Sequence, residues 1–123
     1  MDAERIHRDA VIVDAVSALP DEKYVESYKA GGVTCFAPTV AGETDTPAVA
    51  LKEIGRWLHA IRSRKDLKLV QKASDVEAAK RDGQIGILFH FQGTGPFETD
   101  LNLVEVRISL NWDSGFSKSR TSV

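Results

Sequence analysis

Cysteine is almost missing from this chain: Cys35 is the single one among 123 residues. No intrachain disulfide can form, and a cysteine-built zinc module is excluded by count. This usage fits a reducing cytoplasm, which is where the chain is expected to reside. Long apolar runs are lacking too. None approaches the roughly 20 residues that span a bilayer, and the opening MDAERIHRDA is charged where a signal peptide carries an apolar core, so no membrane association and no export by that route are expected. Nor is there an excess of positive charge. The 16 Lys and Arg against 18 Asp and Glu leave a formal charge of -2, which offers no field to a nucleic-acid backbone. No long-period helical repeat runs through the sequence, and the length suits one domain or a piece of a larger one.

What is present is an alternation of short β-branched runs and amphipathic stretches, the pattern of parallel strands joined by helices. The runs are Val11 to Val13, Val33 to Ala37, Leu67 to Val70 and Ile85 to Phe89, apolar on both faces as buried parallel strands are. The last continues into a strand reading IGILFHF. Asp21 to Ala30 reads as a short helix, with Tyr24 and Tyr28 one turn apart and Gly31-Gly32 as its stop. The longest helix follows Thr44-Asp45-Thr46-Pro47, where Asp45 or Thr46 serves as cap and Pro47 sits where a missing donor is harmless. Leu51, Ile54, Leu58 and Ile61 form its apolar stripe, Trp57 covers the junction with the sheet, and the helix is expected to end near Arg64. Ser74 and Glu77 fit a capping box for the next helix, which Gly83 closes, and a final helix is expected from about Glu98 to Val106. From Arg107 to Val123 the texture becomes Ser-rich; Arg107 to Trp112 alternates like a strand and the remainder reads as a flexible tail.

Polar side chains gather where strands should end. Gln92-Gly93-Thr94-Gly95-Pro96 follows the IGILFHF strand, and ligands bind at such C-terminal strand ends in open α/β sheets and barrels. The segment is either an anion site built from backbone N–H groups or a βα turn that needs glycine. It matches neither a phosphate loop nor a dinucleotide fingerprint, and Glu98 and Asp100 already complement the helix dipole. His90 is a candidate metal ligand or general base, or a hydrogen-bonded structural histidine. Asp14 reads as a carboxylate at the end of the first strand, able to hold a metal or a neighbour, or as a turn residue. His7 and His59 have no metal-binding spacing and read as surface or edge residues. Cys35 reads as a buried, inert thiol. Arg62, Arg64, Lys65, Lys68 and Lys72 read as a solvated helix end and its surroundings.

Between about Arg5 and Val106 the residues resemble the renal or membrane dipeptidases, the peptidase M19 family, and within it a bacterial dipeptidase-like subgroup. The segments that carry the resemblance are HRDAVIVDAVSALP, YKAGGVTCFAPTV, GRWLHAIRSRKDLKLVQKASDVEAAKRDGQIGILFHFQGT and PFETDLNLVEV, in that order and spacing. The resemblance implies a (β/α)8-barrel hydrolase with a two-zinc centre that cleaves dipeptides. A complete barrel of that kind needs about 250 residues, so this chain is expected to supply about four or five parallel strands of a partial TIM barrel over residues 1–106, with 107–123 as a divergent tail.

The resemblance also implies an Asp-x-His-x-Asp motif at the first strand, whose His and second Asp bind metal. Here the stretch reads Asp14-Ala15-Val16-Ser17-Ala18, so only Asp14 matches. The Glu expected to bridge the two metals falls at Gln92, and a shifted register would place His90 there instead. Zinc is therefore implied by the family but not expected on this chain, and no residue is assigned a catalytic role. The sequence supports a truncated dipeptidase-like protein, inactive alone. The alternative is a non-catalytic module that binds a dipeptide or small polar ligand through Asp14, His90, Gln92 and Thr94, or that assembles with a second copy to complete its sheet.

Overall fold

The computed structural model describes residues 2–17 and 21–105. The expected strand at Arg107 to Trp112, the tail, Val106 and Ala18 lie outside the described residues. In chain order the elements are helix α1 (Ala3–Asp9), strand β1 (Val13–Ser17), a 3-10 turn (Glu22–Tyr24), α2 (Val25–Ala30), β2 (Cys35–Gly42), α3 (Pro47–Ser63), β3 (Leu67–Leu69), α4 (Ala73–Arg81), β4 (Ile85–Ile87), β5 (His90–Gln92) and a second 3-10 turn (Gly95–Phe97).

The strands form one open, five-stranded parallel sheet, the α/β architecture of a partial barrel. Its order is β1-β2-β4-β3, and β5 pairs with β2 beyond the end of β4. Thus β4 and β5 occupy one strand position, and β3 lies outside it. The expected continuous IGILFHF strand is broken for a reason that lies in β2. Gly86 donates to the Thr34 carbonyl at 2.8 Å and Leu88 to that of Phe36 at 3.1 Å. The β2 amide that should donate back toward Leu88 belongs to Pro38, whose nitrogen carries no hydrogen, so the ladder lapses and resumes at Thr39 opposite His90.

Helices and sheet enclose a core of Val25, Phe36, Val40, Trp57, Ala60, Leu67, Ile85 and Ile87. Tyr28 stacks on Phe36 with centroids 4.3 Å apart, and Trp57 meets the Phe36 ring edge-on at 5.8 Å. Helix α3 begins as expected, with Thr46 Oγ1 accepting from the Val49 amide at 3.4 Å. Its inward face holds the expected stripe in part: Ala50, Trp57 and Ala60 are buried and Ile54 and Ile61 pack half-buried against the core, while Leu51 is 60% exposed. Trp57, the largest side chain on the helix, sets which face turns inward.

Three further expectations are corrected. The first run is not buried on both faces: Val11 and Val13 are about half exposed, and among the described residues β1 pairs on one side only. Helix α4 is capped from within by Asp75, whose Oδ2 accepts from Gln71 and Lys72 at 2.9 and 3.1 Å, rather than by Ser74 and Glu77. No helix starts at Glu98, which has φ 49°; the next helical residues are 102–105. The short α1, which periodicity did not announce, is held at the opposite end of the sheet by His7 Nε2 on the Gly31 carbonyl oxygen at 3.1 Å and by Lys80 Nζ donating to the Arg8 carbonyl at 2.7 Å.

Candidate functional site

In a parallel sheet with βα connections, polar groups at the C-terminal strand ends face the region where ligands bind. Here that end is formed by β2, β5 and the segments that follow them. His90 Nε2 lies 3.1 Å from Thr39 Oγ1, while His90 Nδ1 is buried and has no hydrogen-bond partner among the described residues. Gln92 is level with Gly42 and exposed. Thr94 is exposed, and its carbonyl accepts from the Phe97 amide at 2.9 Å to close the 3-10 turn.

Asp14 stands apart from this group. The strand runs on to Ser17, so Asp14 lies within β1, level with Phe36, three residues below the Thr39 and His90 row or about 10 Å along the strand. The sequence-derived set is therefore brought together only in part: His90, Gln92 and Thr94 share one strand end.

The QGTGP segment has the geometry of a turn that needs glycine. Gly93 has φ 121°, and a Cβ there would sit 2.7 Å from Glu43 Cα; a Cβ on Gly95 would collide with the Glu43 carbonyl oxygen. The loop after β2 and the loop after β5 thus press backbone against backbone. Phe97 folds back toward Phe91, with centroids 5.5 Å apart.

Beside this pair of loops lies a cleft of about 430 Å3, lined by Asp21, Thr39 to Gly42, Asp45, Glu53 and Arg56. Thr39 is its link to His90. Asp45 Oδ2 accepts from the Gly42 amide at 2.7 Å, Arg56 binds Glu53 at 3.0 Å and lies 3.9 Å from Asp21, and its guanidinium covers the Trp57 ring at 5.3 Å. Three carboxylates and one guanidinium therefore rim the opening. Sequence patterning did not select these residues, because they come together from β2, α3 and the loops before α2 and α3; only Asp45 stood out, as a possible cap.

Cys35 is fully buried, and burial pushes its thiol up to about 11, so at neutral pH it is protonated and unreactive. Arg64 is not a solvated helix end as expected. Its guanidinium grips Asp66 at 2.7 Å and Glu26 at 2.8 Å, and Lys29 reaches Asp66 at 3.0 Å, joining α2, α3 and the approach to β3.

The two-zinc group implied by the family resemblance does not fit this donor set. Val16 has no lone pair, Ala18 has no side-chain donor, and Gln92 offers a neutral amide where a carboxylate would offset two dications. Among the described residues no three His, Cys, Asp or Glu side chains converge as a metal centre.

The chain matches solved hydrolases over most of its length. It is similar to an amidohydrolase from Pseudomonas aeruginosa over 90% of its own residues, with a TM-score of 0.80 and 26% identity. It is similar to the dipeptidase AC, a metallopeptidase of family M19, over 81%, with a TM-score of 0.65 and 18% identity. The chain has part of that hydrolase fold. It spans 34% of the first structure and 40% of the second, little more than a third of either. No family profile and no curated protein matches it. The resemblance read from the segments thus holds at the level of fold. Among the described residues, no helix is long and apolar enough to cross a membrane.

Proposed function

We propose that this chain is a part-barrel relative of the M19 dipeptidases that does not carry out metal-dependent dipeptide hydrolysis by itself. The observation that carries this reading is the combination of Val16, Ala18 and Gln92 at the three positions where the resemblance asks for metal ligands. In the intact chemistry, metal ions polarise the scissile carbonyl and supply hydroxide at neutral pH, and three ligand substitutions remove their seat. A cytoplasmic setting agrees with the single, buried thiol. The test is metal analysis and dipeptide turnover on the purified chain in excess zinc. The expected outcome is less than one tightly held zinc per chain and no hydrolysis above background; stoichiometric zinc with turnover defeats the proposal.

A second reading is favoured by His90. A buried imidazole nitrogen without a partner costs free energy unless something completes it, and Gln92 and Thr94 stand at the same strand end. A small polar ligand bound there, with Asp14 as a more distant contributor, would supply that partner. Such binding should raise the melting temperature saturably in a panel of dipeptides and carboxylates, and His90→Ala should abolish the shift. A panel that leaves the melt of the unaltered chain in place removes this reading.

A further inference from the structure

The turn from α4 into β4 contains the one Asp–Gly step in the sequence, Asp82-Gly83, and no Asn–Gly step occurs. A glycine after aspartate leaves its amide open to the aspartyl side chain, because it carries no Cβ to shield the nitrogen. The fold keeps that approach open. Asp82 ends α4 with φ -90° and ψ 4°, Gly83 follows at φ 66°, both are exposed, and a Cβ on Gly83 would meet nothing within 4 Å. The Gly83 amide donates to the Lys80 carbonyl at 3.4 Å, a long bond at a helix end, where opening costs little.

Two features of the turn restrain a reaction between these groups. At ψ 4° the Gly83 nitrogen eclipses the Asp82 nitrogen rather than Cβ, so the Cα–C bond must rotate, breaking the bond to Lys80, before nitrogen and side chain meet. Arg81 is the second restraint. Its Nε and Nη2 donate to the two carboxylate oxygens of Asp82 at 3.0 and 3.2 Å, and these bonds hold the carboxyl below its ordinary value, with the charges of Arg81 and Lys68 adding to the effect. Only the neutral acid can release its hydroxyl as water.

We propose that Asp82-Gly83 is a modification site, where the folded chain isomerises to isoaspartate at a rate governed by the Arg81 fork. The Gly83 nitrogen gives its proton to solvent and bonds to Cγ of the neutral Asp82 acid, whose hydroxyl leaves as water, closing a succinimide. Water then adds to the ring. Breaking the bond from nitrogen to Cγ restores aspartate, whereas breaking the bond from nitrogen to the backbone carbonyl carbon leaves the chain running through Cγ. One water is lost and one regained, and nothing is oxidised. The product has an extra backbone carbon just before Gln84 and Ile85, whose amides donate to the Ala79 and Asp66 carbonyls at 2.9 Å each, so the entry to β4 is displaced.

The full chain is held for several weeks at neutral pH and then cut with endoproteinase Asp-N, which cleaves before aspartate and not before isoaspartate. Cleavage before residue 82 should fade with no change in mass. Arg81→Ala, at a side chain 73% exposed, should hasten the fading about two- to fivefold, the worth of an exposed ion pair, with the far-UV spectrum unchanged. Arg81→Lys keeps the charge without the fork and should fall between. In acid, where the carboxyl is neutral with or without Arg81, the gain from Arg81→Ala should disappear, which a merely structural role of Arg81 would not produce. Undiminished cleavage before residue 82 overturns the proposal. So does a rate indifferent to Arg81→Ala, or a gain that persists unchanged in acid.

Discussion

Trp57 is the largest of the fully buried side chains among the described residues. It is fully buried, meets Phe36 edge-on and lies beneath Arg56, yet its indole Nε1 has no hydrogen-bond partner among the described residues. Truncation to alanine removes a large apolar volume and should cost about 3–5 kcal/mol, read as a lower urea midpoint. Trp57→Phe should cost much less, because it also removes a buried donor whose isolation is itself unfavourable by about 1–3 kcal/mol. At this scale the sequence was informative where chemistry is local. Trp57 at the junction with the sheet, Cys35 as an inert thiol and exposed His59 were all legible. Thr39 was not, because its meeting with His90 spans 51 positions and depends on a β2 to β5 register that no local pattern encodes.

Between elements, the ion-pair group of Arg64, Asp66, Glu26 and Lys29 joins α2, the end of α3 and the approach to β3 at the surface, above the core that these elements share. The hydrogen bonds from Arg64 hold the Asp66 carboxyl well below the usual carboxylate range, with Lys29 adding to the effect against a smaller opposing influence of burial. A carboxylate whose folded value is depressed contributes stability that is fully present above its unfolded value, about 4, and lost as pH falls through the folded value. Asp66→Asn should therefore lower stability at pH 7 and flatten the decline of the melting temperature between about pH 4 and 2. An acid limb as steep in the variant as in the parent would show that the pair contributes nothing. The groups are partly exposed, so the effect is modest. Element by element, the long helix and its Thr46 cap were readable from Thr-Pro chemistry and spacing. The broken strand was not anticipated, although Pro38 is plain in the sequence, because its effect falls on the neighbouring strand. Glu98 failed as a helix start because the close approach of Gly93 and Gly95 to Glu43 commits the chain to a 3-10 turn first.

For the whole molecule, the βα rhythm was enough to give parallel strands and an open sheet, since runs apolar on both faces have few other homes. The placement of β3 outside β4 was not legible, because neighbours in sequence and neighbours in a sheet are fixed by different constraints. The site was legible only as a strand end: His90, Gln92 and Thr94 gather there, whereas Asp14 lies lower because β1 extends further than its apolar run suggested.

The single sulfhydryl gives this protein an internal stopwatch. Cys35 sits in β2 with Val13 alongside on one neighbouring strand and Gly86 on the other, and a Cβ on Gly86 would already touch its sulfur at 3.2 Å. An alkylating reagent can reach it only while those strands are apart. The labelling rate of the native chain, divided by that of the chain in denaturant, is thus a direct reading of how often the sheet comes open, with no added dye, tag or mutation.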